Sequence, residues 1–240
     1  MKHLTSLSVL LLLCAGNVSA ISDAKEYLSA QDLPVGLVVC LGDESLGNAL
    51  KDDARITHVP AFDGSHLPYV DNLVNAIVSI NQPSKALRKE MLRVLAPGGT
   101  AFILRDSKKE IVERIEKQHP GNTDDWSHFW QGPDNNGVAE DTVVGPPQHV
   151  QWLAGPRWTR HHDVDKGGNP SIRPLLTAGG RLYYMLDETV SSDMSVPASW
   201  VLLARDAFNG ILLWKRPIQM APRSTLDQVW RTMVVDEKNV

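Results

Sequence analysis

The pattern of apolar residues changes character near Pro120, and no single repeated architecture accommodates both sides of that point. Before it, continuous apolar runs alternate with a stretch of helical period. After it come short apolar runs bounded by Gly, Pro and Asn, together with all seven Trp residues, the first of them Trp126. A chain of 240 residues has room for one large domain or two small ones. The expected division is a leader over 1–20, an α/β domain over 21–118, a linker and opening segment over 119–172, and an all-β part over 173–240.

The leader follows from the first residues. Lys2 and His3 precede an apolar run from Leu7 to Leu13 that only Ser8 interrupts, and Val18-Ser19-Ala20 supplies the small residues a signal peptidase reads. The expectation is export to the periplasm or beyond, with the mature chain starting near Ile21. The run is about half of the ~20 residues a spanning helix needs, so no transmembrane segment is expected after its removal. Leu13 departs from the small residue that lipid attachment at Cys14 requires. Loss of the leader removes Lys2 and Cys14, which takes the formal charge from −4 to −5 and leaves Cys40 as the single thiol. One thiol excludes an internal disulfide and zinc sites of the CxxC type. The acidic balance excludes nucleic acid as a partner, because phosphate backbones select for surplus Lys and Arg.

Ser22 is suited to cap a short helix reaching about Ala30. Val35 to Leu41 is a β-branched and apolar run, as in a strand buried on both faces. Further strands are expected over Arg55–Phe62 and Val74–Ile80. Leu87, Met91, Val94 and Leu95 fall at i, i+4, i+7 and i+8 and define one helical face. Pro83 suits its first turn, and Pro97-Gly98-Gly99 ends it. Thr100–Leu104 reads as a strand. Ser107 opens a last predicted helix carrying Ile111, Val112 and Ile115. Strands alternating with helices predict a parallel sheet with crossovers.

Three stretches in this half resemble the class I methyltransferases that use S-adenosylmethionine. Asp63 to Asn72 is similar to the family's acidic residue followed by "LPF-x-DN", Val74–Ile80 to its fourth strand, and Glu90 to Gly99 to its "RVLKPGG" segment. The resemblance spans roughly residues 35–106 and implies a Rossmann-like fold. It would place the cofactor among Gly42, Asp43, Gly47 and Asp63. Two departures count against activity. Glu44 stands where the family has Gly, and Leu50 to Arg55 is too short for the crossover helix, second strand and next helix. The domain is therefore expected to be an incomplete Rossmann-like fold.

Beyond Asp124, strands are expected over Val150–Leu153, over Leu175–Leu186 with a break at Gly179-Gly180, and over Trp200–Ala207 and Ile211–Trp214. Asn209-Gly210 between two apolar runs is a hairpin signal. Arg173–Leu182 aligns with Arg231–Val240 at an offset of 58 residues. Leu202 to Trp214 resembles the "ALDA-x-TG-x-LLW" signature of pyrroloquinoline-quinone-type (PQQ-type) propeller repeats, with Arg205 in place of Leu. Asp125-Trp126 through Val138 is similar to the opening segment of such exported bacterial proteins. The resemblance implies an all-β partial β-propeller, one blade and the start of a second. Closing a propeller takes about four to eight blades, so the chain is expected to be part of a longer protein.

His161, Asp163 and Asp165 share one face if that stretch is extended, a pattern that suits a metal site or a polar loop. Asp134, Asn136 and Gly137 match part of a calcium loop, but the first acid and the closing Glu are missing and a turn is expected. PQQ itself is not expected, since quinone dehydrogenases of this type use an adjacent-cysteine disulfide. No GxSxG, P-loop, HExxH or CxxCH motif occurs. The residues favour an exported propeller scaffold, binding a protein or small molecule, with an inactive methyltransferase-like domain. The alternatives are an S-adenosylmethionine-dependent methyltransferase and a quinone-dependent oxidoreductase.

Overall fold

A computed structural model describes residues 36–42, 56–59, 66–105, 110–146, 148, 150–155, 172–191, 193, 195–219 and 232–237. The chain divides into two compact units, Met1–Gln118 and His119–Val240.

The first unit is built on an open five-stranded sheet. Its strands are β1 (Val38–Leu41), β2 (Ile56–Val59), β3 (Val74–Ile80), β4 (Leu95–Arg105) and β5 (Glu110–Glu116), in the order β2-β1-β3-β4-β5. β1 runs parallel to β2 and β3, and β3 parallel to β4, while β5 is antiparallel to β4. A parallel pair needs a crossover, and between β3 and β4 it is helix α1 (Lys85–Val94). Ser84 caps α1 by accepting the Leu87 N–H at 3.1 Å. Pro83 therefore lies one residue before the cap, not inside the first turn.

Alternation along β1 sends side chains into two clusters. Val38 and Cys40 join Ala76, Val78, Phe102 and Leu104. Val39 and Leu41 join Ile77, Ala101, Ile103, Leu67 and the helix residues Met91 and Val94. A strand buried on both faces has no polar alternation to display, which is why its sequence is a continuous apolar run. The Cys40 thiol is buried in this strand.

The expected Rossmann-like fold is corrected here. Among the described residues the unit holds one helix, not helices layered on both faces of the sheet. The helix expected from Ser107 is instead strand β5. Ile111 and Ile115 have helical spacing, but Ile103 pairs with Glu113 and Leu104 with Ile111, so Val112 is bulged out. The bulge reverses the alternation. Ile111 packs on the Phe102 cluster and Ile115 on the Met91 cluster, on opposite faces. The helix expected over 22–30 lies outside the described residues.

The second unit contains a four-stranded antiparallel meander: β6 (Ile172–Ala178), β7 (Arg181–Asp187), β8 (Trp200–Asp206) and β9 (Leu212–Pro217). Gly179-Gly180 forms the first two-residue turn, both at positive φ, as a right-twisted hairpin requires. Between β7 and β8, the buried Asp187 carboxylate accepts the Thr189 hydroxyl at 2.6 Å and the N–H groups of Thr189 and Ser199 at 3.0 Å each. After β8, Asp206 accepts the N–H groups of Phe208 and Asn209, closing the predicted Asn209-Gly210 hairpin. Tyr183 and Ala204 face a cluster with Leu176, Ala178 and Val235, whereas Tyr184 and Leu203 face another with Leu186 and Val201.

This sheet is open, and the expected partial propeller is corrected accordingly. A propeller needs several sheets arranged around a channel, and among the described residues the unit holds one sheet. The signature at Leu202–Trp214 specifies the local β8–β9 hairpin, which many all-β folds share, and carries no information on closure. The described part of the second repeat copy is not the strand of a new blade. Its Val235 is buried in the same core as β6 and β7 and donates to the Ser127 carbonyl at 3.0 Å. The propeller-type binding surface expected for a partner goes with it. No helix among the described residues is long and apolar enough to cross a membrane.

Candidate cofactor site at the carboxyl end of strand β1

β1 is where the strand order reverses. The chain passes from β1 to β2 on one side, then returns to β3 on the other, with Leu41 opposite both Val59 and Ser79. The three carboxyl ends are thus level. In open parallel sheets such a point leaves a crevice beyond the strand ends, bounded by chains that diverge in opposite directions. Gly42 is the first residue past β1. Its φ is +86°, it is exposed, and among the described residues an added Cβ would meet no atom within 4 Å. The backbone there adopts a conformation favoured by glycine while bordering open space.

Of the residues singled out in the sequence, Gly42 is placed at this point. Asp43, Gly47 and Asp63 lie outside the described residues, as do His161, Asp163 and Asp165. Among the described residues no group of three or more His, Cys, Asp or Glu is placed to hold a metal. The Asp134 segment is the expected turn, with its carboxylate accepting the Asn136 N–H at 3.1 Å.

A polar cluster that the sequence did not announce ties the segment before β3 to helix α1. Arg93 lies on α1 and donates to both Glu90 oxygens, at 2.7–3.1 Å. It also donates to the carbonyls of Leu67 and Tyr69, at 3.0 and 2.8 Å, and to Asp71 at 2.8 Å. Glu90 in turn accepts the Leu67 N–H at 2.9 Å. The Arg93 hydrogen bonds foremost, then that of the Leu67 N–H, hold the Glu90 carboxyl down at about 2. The Glu90 and Asp71 carboxylates raise Arg93 further above its already high value. His66 Nδ1 lies 3.2 Å from Glu90. Lys117 reaches in from beyond β5 and donates to Asn72 Oδ1 at 2.6 Å and the Leu95 carbonyl at 2.7 Å; burial lowers its pKa. The signal that would have found this cluster is the i, i+3 pair Glu90–Arg93 on a short helix preceded by the polar stretch from His66 to Asn72.

No protein-family model and no curated protein sequence matches this chain. The propeller-repeat resemblance therefore has no family match behind it. Several solved structures match part of the chain, two of them as follows. One is a candidate S-adenosyl-L-methionine-dependent methyltransferase from Methanococcus maripaludis, with 20% identity, a TM-score of 0.30, and coverage of 38% of this chain and 56% of that one. The other is a chain of the complex between a Haloferax volcanii methyltransferase activator and a candidate methyltransferase, with 16% identity, a TM-score of 0.27, and coverage of 43% and 67%. The chain thus spans a little over half the length of the first.

Proposed function

We propose that the first unit binds an adenosyl cofactor of the S-adenosylmethionine type at the carboxyl end of β1, and that the chain serves in methyl transfer. The observation that carries this reading is the strand-order reversal at β1, capped by Gly42 at positive φ against open space. Gly42, Asp43, Gly47 and Asp63 are residue types that suit such a group, while Glu44 stands where the family it resembles has Gly. Gly42 lets backbone N–H groups approach a methionine-like moiety without a side chain between. By the resemblance, Asp43 would offer a carboxylate to an ammonium group and Gly47 would belong to the same loop. Asp63 stands about twenty residues beyond Gly42, the offset of an acid that accepts ribose hydroxyls. The bound cofactor would supply an electrophilic methyl on a sulfonium; the chain supplies the site that orients it.

Calorimetry of the full chain with S-adenosylhomocysteine tests this. Micromolar binding that disappears in Gly42→Arg is the expected result. Absence of binding in the wild type, or binding unchanged by that substitution, overturns it. We further infer that residues 1–20 are a cleaved export signal, on the pattern of Lys2, Leu7–Leu13 and Ala20. An exported chain meets this cofactor only before it leaves the cytoplasm, so the two proposals make opposite demands and are tested apart. N-terminal sequencing of the protein from its native cell decides the second: a product beginning at Met1 sinks it.

A further inference from the structure

Leu67 has no exposed surface and lies in no strand, yet both of its backbone polar groups bond to one ion pair of helix α1, the carbonyl also accepting the Tyr69 N–H at 2.8 Å. Its N–H donates to Glu90 and its carbonyl accepts from Arg93. Outside a ladder, buried backbone groups need such partners or incur a desolvation penalty. Arg93 adds the Tyr69 carbonyl and Asp71, so the turn after Leu67 hangs on the same guanidinium. Only an arginine can do this, since its planar fork serves a carboxylate and two carbonyls at once. Leu67 shares its cluster with Val39 and Leu41, the residues that lead into Gly42.

We infer that Arg93, oriented by Glu90, is a positioning residue for the proposed cofactor site: it fixes the segment from Leu67 to Asp71 ahead of β3 and, through Leu67, the packing beneath the end of β1 that leads into Gly42. This rests on the function proposed above. The ion pair acts on the site through Leu67 and the end of β1, not by touching the cofactor.

The experiment measures S-adenosylhomocysteine affinity of the full chain by calorimetry, at a temperature where circular dichroism shows wild type and variant equally folded. Arg93→Ala is expected to bind at least about tenfold more weakly, a loss of about 1.4 kcal/mol. Low-millimolar guanidinium chloride should restore much of that affinity by refilling the vacated fork, and sodium chloride at the same ionic strength should not. Unchanged affinity in folded Arg93→Ala overturns the inference, and so does equal recovery with both salts, which would mean that the loss is general loosening. Should Arg93→Ala not fold, Glu90→Gln decides the matter by the same affinity measurement, with a several-fold weakening expected and wild-type affinity overturning it. If the wild type itself does not bind, the functional reading fails and this inference falls with it, a result seen before any variant is compared.

Discussion

The close approach of Trp152 to Gly210 gives a prediction whose size follows from the geometry. Gly210 closes the β8–β9 hairpin at φ +71°, and a Cβ there would lie within 2.9 Å of Trp152 Cζ3 and closer still to two other ring atoms. Gly210→Ala therefore carries two costs. The left-handed backbone costs an L-residue roughly 1–2 kcal/mol. The indole must also move, which breaks the 3.0 Å hydrogen bond from Trp152 Nε1 to the Ala207 carbonyl, worth about 1 kcal/mol. It gives up ring contact worth roughly another 1–2 kcal/mol by area. The total is about 3–5 kcal/mol. With Trp152→Ala already in place only the backbone cost should remain, so the coupling in a double-mutant cycle should be about 2–3 kcal/mol. Urea unfolding followed by tryptophan fluorescence reports on this unit, because all seven Trp lie beyond residue 125. Equal costs for Gly210→Ala with and without Trp152 would refute the reasoning.

Three further outcomes are expected. Glu90 has a folded pKa of about 2, below its ordinary 4.5. Its contribution is therefore full above about pH 4.5 and lost as pH falls through 2, and acid titration of urea stability should show about 1–3 kcal/mol more loss in wild type than in Glu90→Gln. Phe102→Ala empties a site of 1% exposure between β3 and β5, and chemical denaturation should record a loss of about 3–5 kcal/mol. Asp206→Ala removes the acceptor of two turn N–H groups, and thermal melts of the second unit should show a loss of about 1–2 kcal/mol.

Where period and punctuation agreed, the sequence was readable. β3 falls on the expected Val74–Ile80, and α1 carries Leu87, Met91 and Val94 of the expected face, whereas Leu95 and the expected stop Pro97-Gly98-Gly99 lie in β4. The Asn209-Gly210 hairpin forms because Asp206 and Gly210 supply its turn locally. Strand β5 was misread because a single bulged residue, Val112, converts helical spacing into two opposite faces of a sheet. Local motifs misled at the level of architecture, since a hairpin signature carries no count of sheets. Arg205, odd as a replacement for a core Leu, is explained by its partners: the Tyr184 hydroxyl at 2.7 Å and the Gly155 carbonyl, both distant in sequence, and the nearby Gly210 carbonyl. The turn after β1 was legible at Gly42, because its positive φ favours one residue type. The Glu90–Arg93 cluster was less so, because the i, i+3 pair shows in the sequence but its bonds to the Leu67 and Tyr69 backbone, more than twenty residues away, do not.

The different strand orders of the two sheets have a consequence for how each unit assembles on a growing chain. In the second unit every strand pairs with its sequence neighbour, and Leu176 finds Tyr183 only seven positions on. Such a meander can zip progressively as it is made, since closing short loops is fast. In the first unit β1 has to wait. Val38 pairs with Ile56 and with Ala76, the latter 38 positions later, and β3 in turn needs β4 beyond α1. Until then Val38 to Leu41 is an apolar strand with neither edge nor face covered, the form of chain most prone to mispair with another molecule. Synthesis through Arg105 is the moment at which that hazard ends, so slowing translation before this point should raise aggregation, and slowing it after should not.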